Sequence, residues 1–186
     1  MDFGNFPGLC DPAAFISSDA LVYRYHPEHR GIQVLTGIRQ GEPWNGYMTV
    51  PFGGYINPED SNPPVAAKRE LLEETGLVTE ISHVIGIYGP ERWHHRLVYN
   101  SGSLKAIKTN RPAHIRPVVT CVFAAKVTGG VLTDSTEQKK LSWKNPTELP
   151  MYDLAFDHAL VLEHFFLMER YPELQQDARL MLRFFR

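Results

Sequence analysis

Apolar and polar positions follow two periods along this chain, and the places where one gives way to the other mark its elements. Ala20-Leu21-Val22-Tyr23-Arg24-Tyr25 and Gly31-Ile32-Gln33-Val34-Leu35-Thr36-Gly37-Ile38 are β-branched and aromatic runs. The turn-rich His26-Pro27-Glu28-His29-Arg30-Gly31 splits them, which predicts a hairpin. Pro43 to Phe52 then leads into Gly53-Gly54. Ile81 to Tyr88 predicts a strand of mixed pattern, and Pro117 to Val127 is nearly all apolar, as a strand covered on both faces must be. Gly129-Gly130 marks a turn, after which Val131-Leu132-Thr133 opens a short strand or a loop. Helical spacing takes over near the end, where Leu160, Val161, His164, Phe165 and Met168 form a core-facing stripe. A last helix over Pro172 to Phe185 carries Leu174, Ala178, Met181, Leu182 and Phe185, with Glu173, Asp177, Arg179 and Arg183 spread along it, a pattern that argues against a membrane role.

The most sharply punctuated segment lies between these strands. Pro63 and Pro64 suit a first helical turn, Ser61 or Asn62 can cap it, and Gly76 closes it as a left-handed cap. At about 100° per residue, Glu70, Glu73 and Glu74 fall within one arc of roughly 100°. The opposite side is expected to present Val65, Leu71 and Leu72 to the core, with Ala66 and Ala67 leaving the acidic face uncrowded. Carboxylates three and four residues apart repel by a few tenths of a kcal/mol per pair, so their concentration beside a glycine-rich loop suggests a divalent cation. Ligands that are all oxygen favour Mg²⁺ or Mn²⁺ over zinc.

Arg69-Glu70-Leu71-Leu72-Glu73-Glu74-Thr75-Gly76-Leu77 resembles the second half of the Nudix box, Gly-x5-Glu-x7-Arg-Glu-U-x-Glu-Glu-x-Gly-U, at every specified position. The first half departs from that pattern. Gly54 lies 15 residues before Arg69 instead of 14, and Ser61 stands where the box has Glu. A one-residue insertion within Asp60-Ser61-Asn62-Pro63 restores the match with Asp60 in place of that Glu, and Glu59 is the other candidate. The resemblance implies a Nudix-fold α/β/α sandwich with a mixed β-sheet, in which Pro43 to Phe52 is a strand entering the box loop. It implies metal ligation by the carbonyl of Gly53 together with Glu70, Glu73 and Glu74. Glu137, six residues before Trp143, matches a family Glu that approaches the metal or activates water, so Glu70 or Glu137 would take the proton from water. Arg69 joins them as a catalytic candidate, better placed to brace the carboxylates or the box loop than to touch substrate. Leu154-Ala155-Phe156-Asp157-His158 looks like the start of the closing helix in the branch of ADP-ribose pyrophosphatases and nucleotide-sugar hydrolases.

Composition narrows the picture. With 186 residues, 43% of them hydrophobic, the chain suffices for one domain with a proper core. The expected organisation is an arm over residues 1–14, a Nudix domain over 15–170 and a C-terminal helix over 171–186 packed on it. The aromatic arm, with Phe3 and Phe6, must dock on the core or on a second subunit. A net charge of −2 gives no bulk electrostatic argument for nucleic acid or membrane. Cys10 and Cys121 have no metal or redox spacing and read as buried thiols. There is no charged apolar leader and no apolar run near 18 residues, so a cytoplasmic protein is the expectation.

Against that neutral background, Glu91 to Pro117 holds six Lys or Arg residues and one acid, interleaved with aromatics. This predicts a long loop contacting a phosphate-bearing substrate or a partner subunit, with cations neutralising phosphate and Trp93 or Tyr99 stacking on a base. The candidate substrate-binding residues are Arg39, Arg92, Trp93, Arg96 and Arg116. The activity the resemblance implies is Mg²⁺-dependent hydrolysis of the phosphoanhydride in a nucleoside diphosphate linked to another moiety, ADP-ribose or a nucleotide sugar first. The alternatives are a house-cleaning pyrophosphohydrolase of nucleoside triphosphates and a Nudix domain that senses a nucleotide ligand without hydrolysis. All three take a small nucleotide as partner. Dimers are frequent in this branch, and the aromatic arm would suit an exchanged contact.

Overall fold

In this computed structural model the described residues are 15–28, 31–42, 44–89, 95–100, 103–108, 118–151 and 153–181. The period-two runs become strands of one mixed sheet of seven strands. Its spine is β1 (Phe15–Tyr25), which pairs antiparallel with β2 (Ile32–Arg39) as the predicted hairpin and parallel with β8 (Val118–Gly130) along nine residues. On the far side of β8 runs β5 (Leu77–Tyr88), antiparallel to it, so the nearly all-apolar β8 is central, as its composition requires. The segment entering the glycine pair splits into β3 (Met48–Thr49) on β2 and β4 (Phe52–Tyr55) on β1. The Trp143-bearing strand, β9 (Gln138–Lys144), pairs with β2, while residues 131–133 form no strand.

Alternation along β1 and β8 sends their side chains to two separate cores. Ala20, Val22, Phe123 and Ala125 face the helix α1 (Pro63–Thr75), meeting Ala67 and Leu71 together with Leu35 and Phe52. Leu21, Tyr23, Val122 and Ala124 face α2 (His158–Arg170), meeting Val161, Leu162 and Phe165. The sheet is thus sandwiched between helices, an α/β/α arrangement. Beyond α2, α3 (Pro172–Met181) packs on α2 and β5, with Ala178 buried and Leu174 exposed. No helix among the described residues is long and apolar enough to cross a membrane. Cys121 is a half-buried free thiol, and Cys10 lies outside the described residues.

The ends of α1 follow the punctuation. Asn62 Oδ1 accepts the Val65 N–H at 3.0 Å, and Gly76, at φ 73°, donates its N–H to the Leu72 carbonyl at 2.9 Å. Its faces do not follow the prediction. Val65 and Leu72 are exposed, and the inward face is made of Ala66, Ala67, Leu71, Glu74 and Thr75. The alanines let the helix sit close to the sheet, so the arc that carries Glu70 and Glu74 is the buried one, and Glu73 alone of the three turns outward. Burial of Leu71 contributes about 1.5–3 kcal/mol, and Ala66 and Ala67 add to it, which holds the helix down despite the buried acid.

Within the basic stretch after β5, the described residues form two strands. β6 (His95–Asn100) and β7 (Ser103–Lys108) pair antiparallel as a separate two-stranded sheet, with Asn100 opposite Ser103. Ser101-Gly102, a turn dipeptide between two runs rich in Leu, Val and Ile, carries that signal in the sequence.

Candidate functional site

Two glycines organise the site because only a backbone without side chains fits between the elements that meet there. Gly53 and Gly54 of β4 lie opposite Asp19 and Ser18 of β1. At φ 156° Gly53 has a conformation that L side chains rarely adopt, and a Cβ there would stand 2.5 Å from Asp19 Oδ1. A Cβ on Gly54 would stand 2.7 Å from the carboxyl carbon of Glu70. The glycine pair therefore admits carboxylates from both β1 and α1.

Glu74 is fixed underneath. Its Oε2 accepts the Gly53 N–H at 3.1 Å, and its Oε1 accepts from Gln138 Nε2 at 3.2 Å, while Gln138 Oε1 accepts the Thr49 hydroxyl at 2.7 Å. Burial, reinforced by the charges of Glu137 and Glu70, pushes the Glu74 carboxyl up to about 7 in spite of those two hydrogen bonds. Glu70 is half-buried at the cleft wall, and burial again raises its carboxyl, with Arg69 opposing and Glu73 and Glu137 assisting.

Arg69 lies outside the cleft and ties the box loop to the helix. Its Nε and Nη2 hold Asp60 Oδ1 and Oδ2 at 3.1 and 2.9 Å, and Nη2 also donates to the Tyr55 carbonyl at 3.1 Å. Nη1 reaches Glu70 Oε1 at 2.8 Å and Glu73 Oε2 at 3.2 Å. The bidentate bond from Arg69, helped by the Asn57 N–H, lowers the Asp60 carboxyl below the usual range. Asp60 is thus a clamp on Arg69, and Glu59 is exposed.

The cleft, about 320 Å³, runs from the glycine pair past Asp19 to a second group of side chains. There the Arg39 guanidinium lies 5.4 Å over the Phe156 ring, next to Asp157 and His158. The Val50 N–H donates to His158 Nδ1 at 3.3 Å, and burial, with the Arg39 charge, lowers this imidazole to about 3, so it is neutral with its proton on Nε2. Asp19 is raised well above its ordinary value by burial first, then by Glu74, Asp157 and Glu70, with Arg39 pulling the other way.

Of the residues singled out in the sequence, Gly53, Glu70, Glu137 and Arg39 line the cleft, and Glu74 supports it from below. Glu73 is on the outer side with Arg69. Arg96 lies on β6 opposite Ile107, and Arg92, Trp93 and Arg116 fall outside the described residues. Asp19, Asp157, His158 and Gln138 are cleft residues that the motif did not mark. Asp19 had a signal, as the single acidic residue of β1. Among the described residues no three acidic, histidine or cysteine side chains are drawn tightly enough together to enclose an ion, because Arg69 holds Glu70 and Glu73, and Gly53 and Gln138 hold Glu74. The donor set still fits a hard divalent cation: its groups are oxygens, and the charges of Glu70 and Glu137 raise the Glu74 carboxyl beside a backbone that no side chain shields.

A sequence model of the NUDIX domain matches residues 18–165. The chain belongs to the Nudix family. It is 27% identical over 134 residues to the ADP-ribose pyrophosphatase of Methanocaldococcus jannaschii, a match covering 72% of this chain and 65% of that protein. It is 29% identical over 115 residues to the MutT-like protein of Streptomyces ambofaciens, covering 62% and 57%. This chain therefore matches less than two thirds of the length of these curated relatives. The same fold occurs in the NUDIX domain of Shewanella oneidensis NrtR complexed with ADP ribose, with a TM-score of 0.61, 22% identity and coverage of 89% of this chain and 94% of that one. It occurs also in a MutT/nudix family protein from Enterococcus faecalis, with a TM-score of 0.61, 21% identity and coverage of 89% and 68%. The seven-stranded mixed sheet between helices is thus the Nudix fold.

The raised carboxyl of Glu74 gives this Nudix domain a pH signature. Glu74 ionises near 4.5 in an unfolded chain and about 7 here, so its stabilising contribution is complete below 4.5 and is lost as pH rises through 7. In EDTA the protein is expected to be less stable at pH 8 than at pH 5, by on the order of 2–3 kcal/mol from this group. A divalent cation held by the ionised carboxylate would recover part of that loss at pH 8, and Mg²⁺ is the probe. Thermal melts at the two pH values, with EDTA and with Mg²⁺, check this; equal stability in EDTA would contradict it.

Proposed function

We propose that this chain is a Mg²⁺-dependent pyrophosphohydrolase, with Mn²⁺ as a substitute, acting on a nucleoside diphosphate linked to another moiety, ADP-ribose or a nucleotide sugar first. The observation that carries the reading is the meeting of Glu70 and Glu74 at the Gly53-Gly54 backbone, at one end of a cleft whose other end holds Arg39 over Phe156. The ADP-ribose pyrophosphatase among the relatives and the ADP ribose seated in a domain of the same fold favour that substrate class.

A phosphoanhydride is an anion that repels an anionic nucleophile. Glu70, Glu74 and the Gly53 carbonyl would hold the divalent metal, with Glu73 joining if Arg69 releases it, and the bound metal would supply charge neutralisation of the phosphate oxygens and acidification of water. Arg39 meets the phosphate charge from the opposite wall, and Phe156 offers a face to the sugar or base. Glu70, half-buried with a raised carboxyl, or Glu137, which also lines the cleft, takes the proton from the attacking water. Arg69 acts by keeping Glu70 aimed and the loop around Asp60 closed.

The reading is tested by phosphate release, coupled to a phosphatase, from ADP-ribose, nucleotide sugars, dinucleoside polyphosphates and nucleoside triphosphates, each with and without Mg²⁺. Strongest Mg²⁺-dependent turnover is expected on a diphosphate-linked substrate. Preference for the triphosphates would replace this reading by the house-cleaning one.

A further inference from the structure

We propose that Asp19 is a further carboxylate of the divalent-metal site, carried by β1 and belonging to none of the box positions. The proposal rests on the metal-dependent reading above and extends its site from the helix to the spine of the sheet.

Its basis is the geometry at the glycine pair. Gly53 touches Glu74 through its N–H, and it touches Asp19 through the space a side chain would fill, with Oδ1 2.5 Å from where a Cβ would stand. Gly54 does the same for Glu70. Two consecutive residues without side chains thus lie one against a carboxylate of β1 and the other against a carboxylate of α1, and Asp19 and Glu70 both line the one cleft.

A structural role for Asp19 would require partners for its charge. Among the described residues its carboxylate takes no hydrogen bond, and three of the charges that act on it, Glu74, Asp157 and Glu70, repel it. Arg39 alone of the groups that act on it attracts. It caps no helix and closes no turn, since it sits within β1 between Ser18 and Ala20. An enclosed carboxylate among like charges costs stability, and that cost is offset when a cation binds there. Asp19 also stands between the Glu70–Glu74 end of the cleft and the Arg39–Asp157 end, where the diphosphate of the substrate would lie against the metal.

The test uses Mn²⁺ alone as probe, titrated by calorimetry into the full wild-type chain and into Asp19→Asn, with metal-free melts of both. The expected result is Mn²⁺ affinity about 10- to 100-fold weaker in Asp19→Asn, with a metal-free melting temperature equal to or above that of wild type. Mn²⁺ affinity equal to that of wild type would overturn the proposal, as would a wild-type chain that binds no Mn²⁺. Should Asp19→Asn not fold, Asp19→Ser carries the same expectation; failure of both to fold would make Asp19 a structural requirement and overturn the assignment. The two readings fail separately. A wild type inert on the whole substrate panel, with Mn²⁺ binding still weakened in Asp19→Asn, removes the hydrolase and keeps this site. Mg²⁺-dependent turnover with unchanged Mn²⁺ affinity in Asp19→Asn does the reverse.

Discussion

Glu70→Gln lowers kcat on ADP-ribose by about 10²- to 10⁴-fold while the fold persists. The substitution keeps the shape of the side chain and an oxygen for Arg69 Nη1, so the contact at 2.8 Å can be retained. What it removes is the negative charge at the wall of the cleft, which in the proposed reaction would hold the cation and, where Glu70 is the base, accept the proton. Because burial and the neighbouring Glu73 and Glu137 charges disfavour ionised Glu70, the variant should melt no lower than wild type without metal. Steady-state kinetics with Mg²⁺, beside a metal-free melt, reads both effects. Glu80→Gln is the control: Glu80 is an exposed position of β5 outside the cleft lining, so its kcat should match wild type. Turnover preserved in Glu70→Gln would remove Glu70 from the reaction.

Gly53→Ala has the largest structural effect. At φ 156° any L residue is strained by roughly 1–3 kcal/mol before contacts are considered. The added methyl would also meet the Asp19 Cα and Oδ1 at 2.5 Å, and the first of these is backbone of the central strand, which cannot swing aside. Either β4 leaves β1, breaking the Gly53 N–H bond to Glu74, or the protein unfolds at a lower temperature. A fall of several degrees in melting temperature with loss of Mn²⁺ binding is therefore expected, read by thermal unfolding and calorimetry. Gly41→Ala, at a position where a Cβ would meet nothing within 4 Å, should change neither.

These two positions also show how far the sequence could be read. The strands were legible because each apolar run has a period set by the two faces it covers, and the ends of α1 because Asn62, Pro63 and Gly76 act locally. The face of α1 was not, since Leu71-Leu72 looks like an apolar stripe whichever side is inward. Only packing reveals that Ala66 and Ala67 form the contact and carry Glu74 into the interior with them. The clamp between Asp60 and Arg69 is likewise invisible to spacing, because the loop between them sets the geometry. The nine residues of the box name the family but place only one wall of the cleft. Asp19, Arg39, Asp157 and His158 come from distant parts of the chain and are joined by the pairing of β1 with β4 and by the bridge between Met48 and Leu154.

The most direct measurement is ³¹P NMR of ADP-ribose incubated with the wild-type chain, once with Mg²⁺ and once with EDTA. Loss of the diphosphate signals and growth of two phosphomonoester signals, AMP and ribose 5-phosphate, with Mg²⁺ only, is the predicted result. An unchanged diphosphate with Mg²⁺, while calorimetry still shows ADP-ribose binding, would contradict hydrolysis and leave a domain that binds the nucleotide without cleaving it.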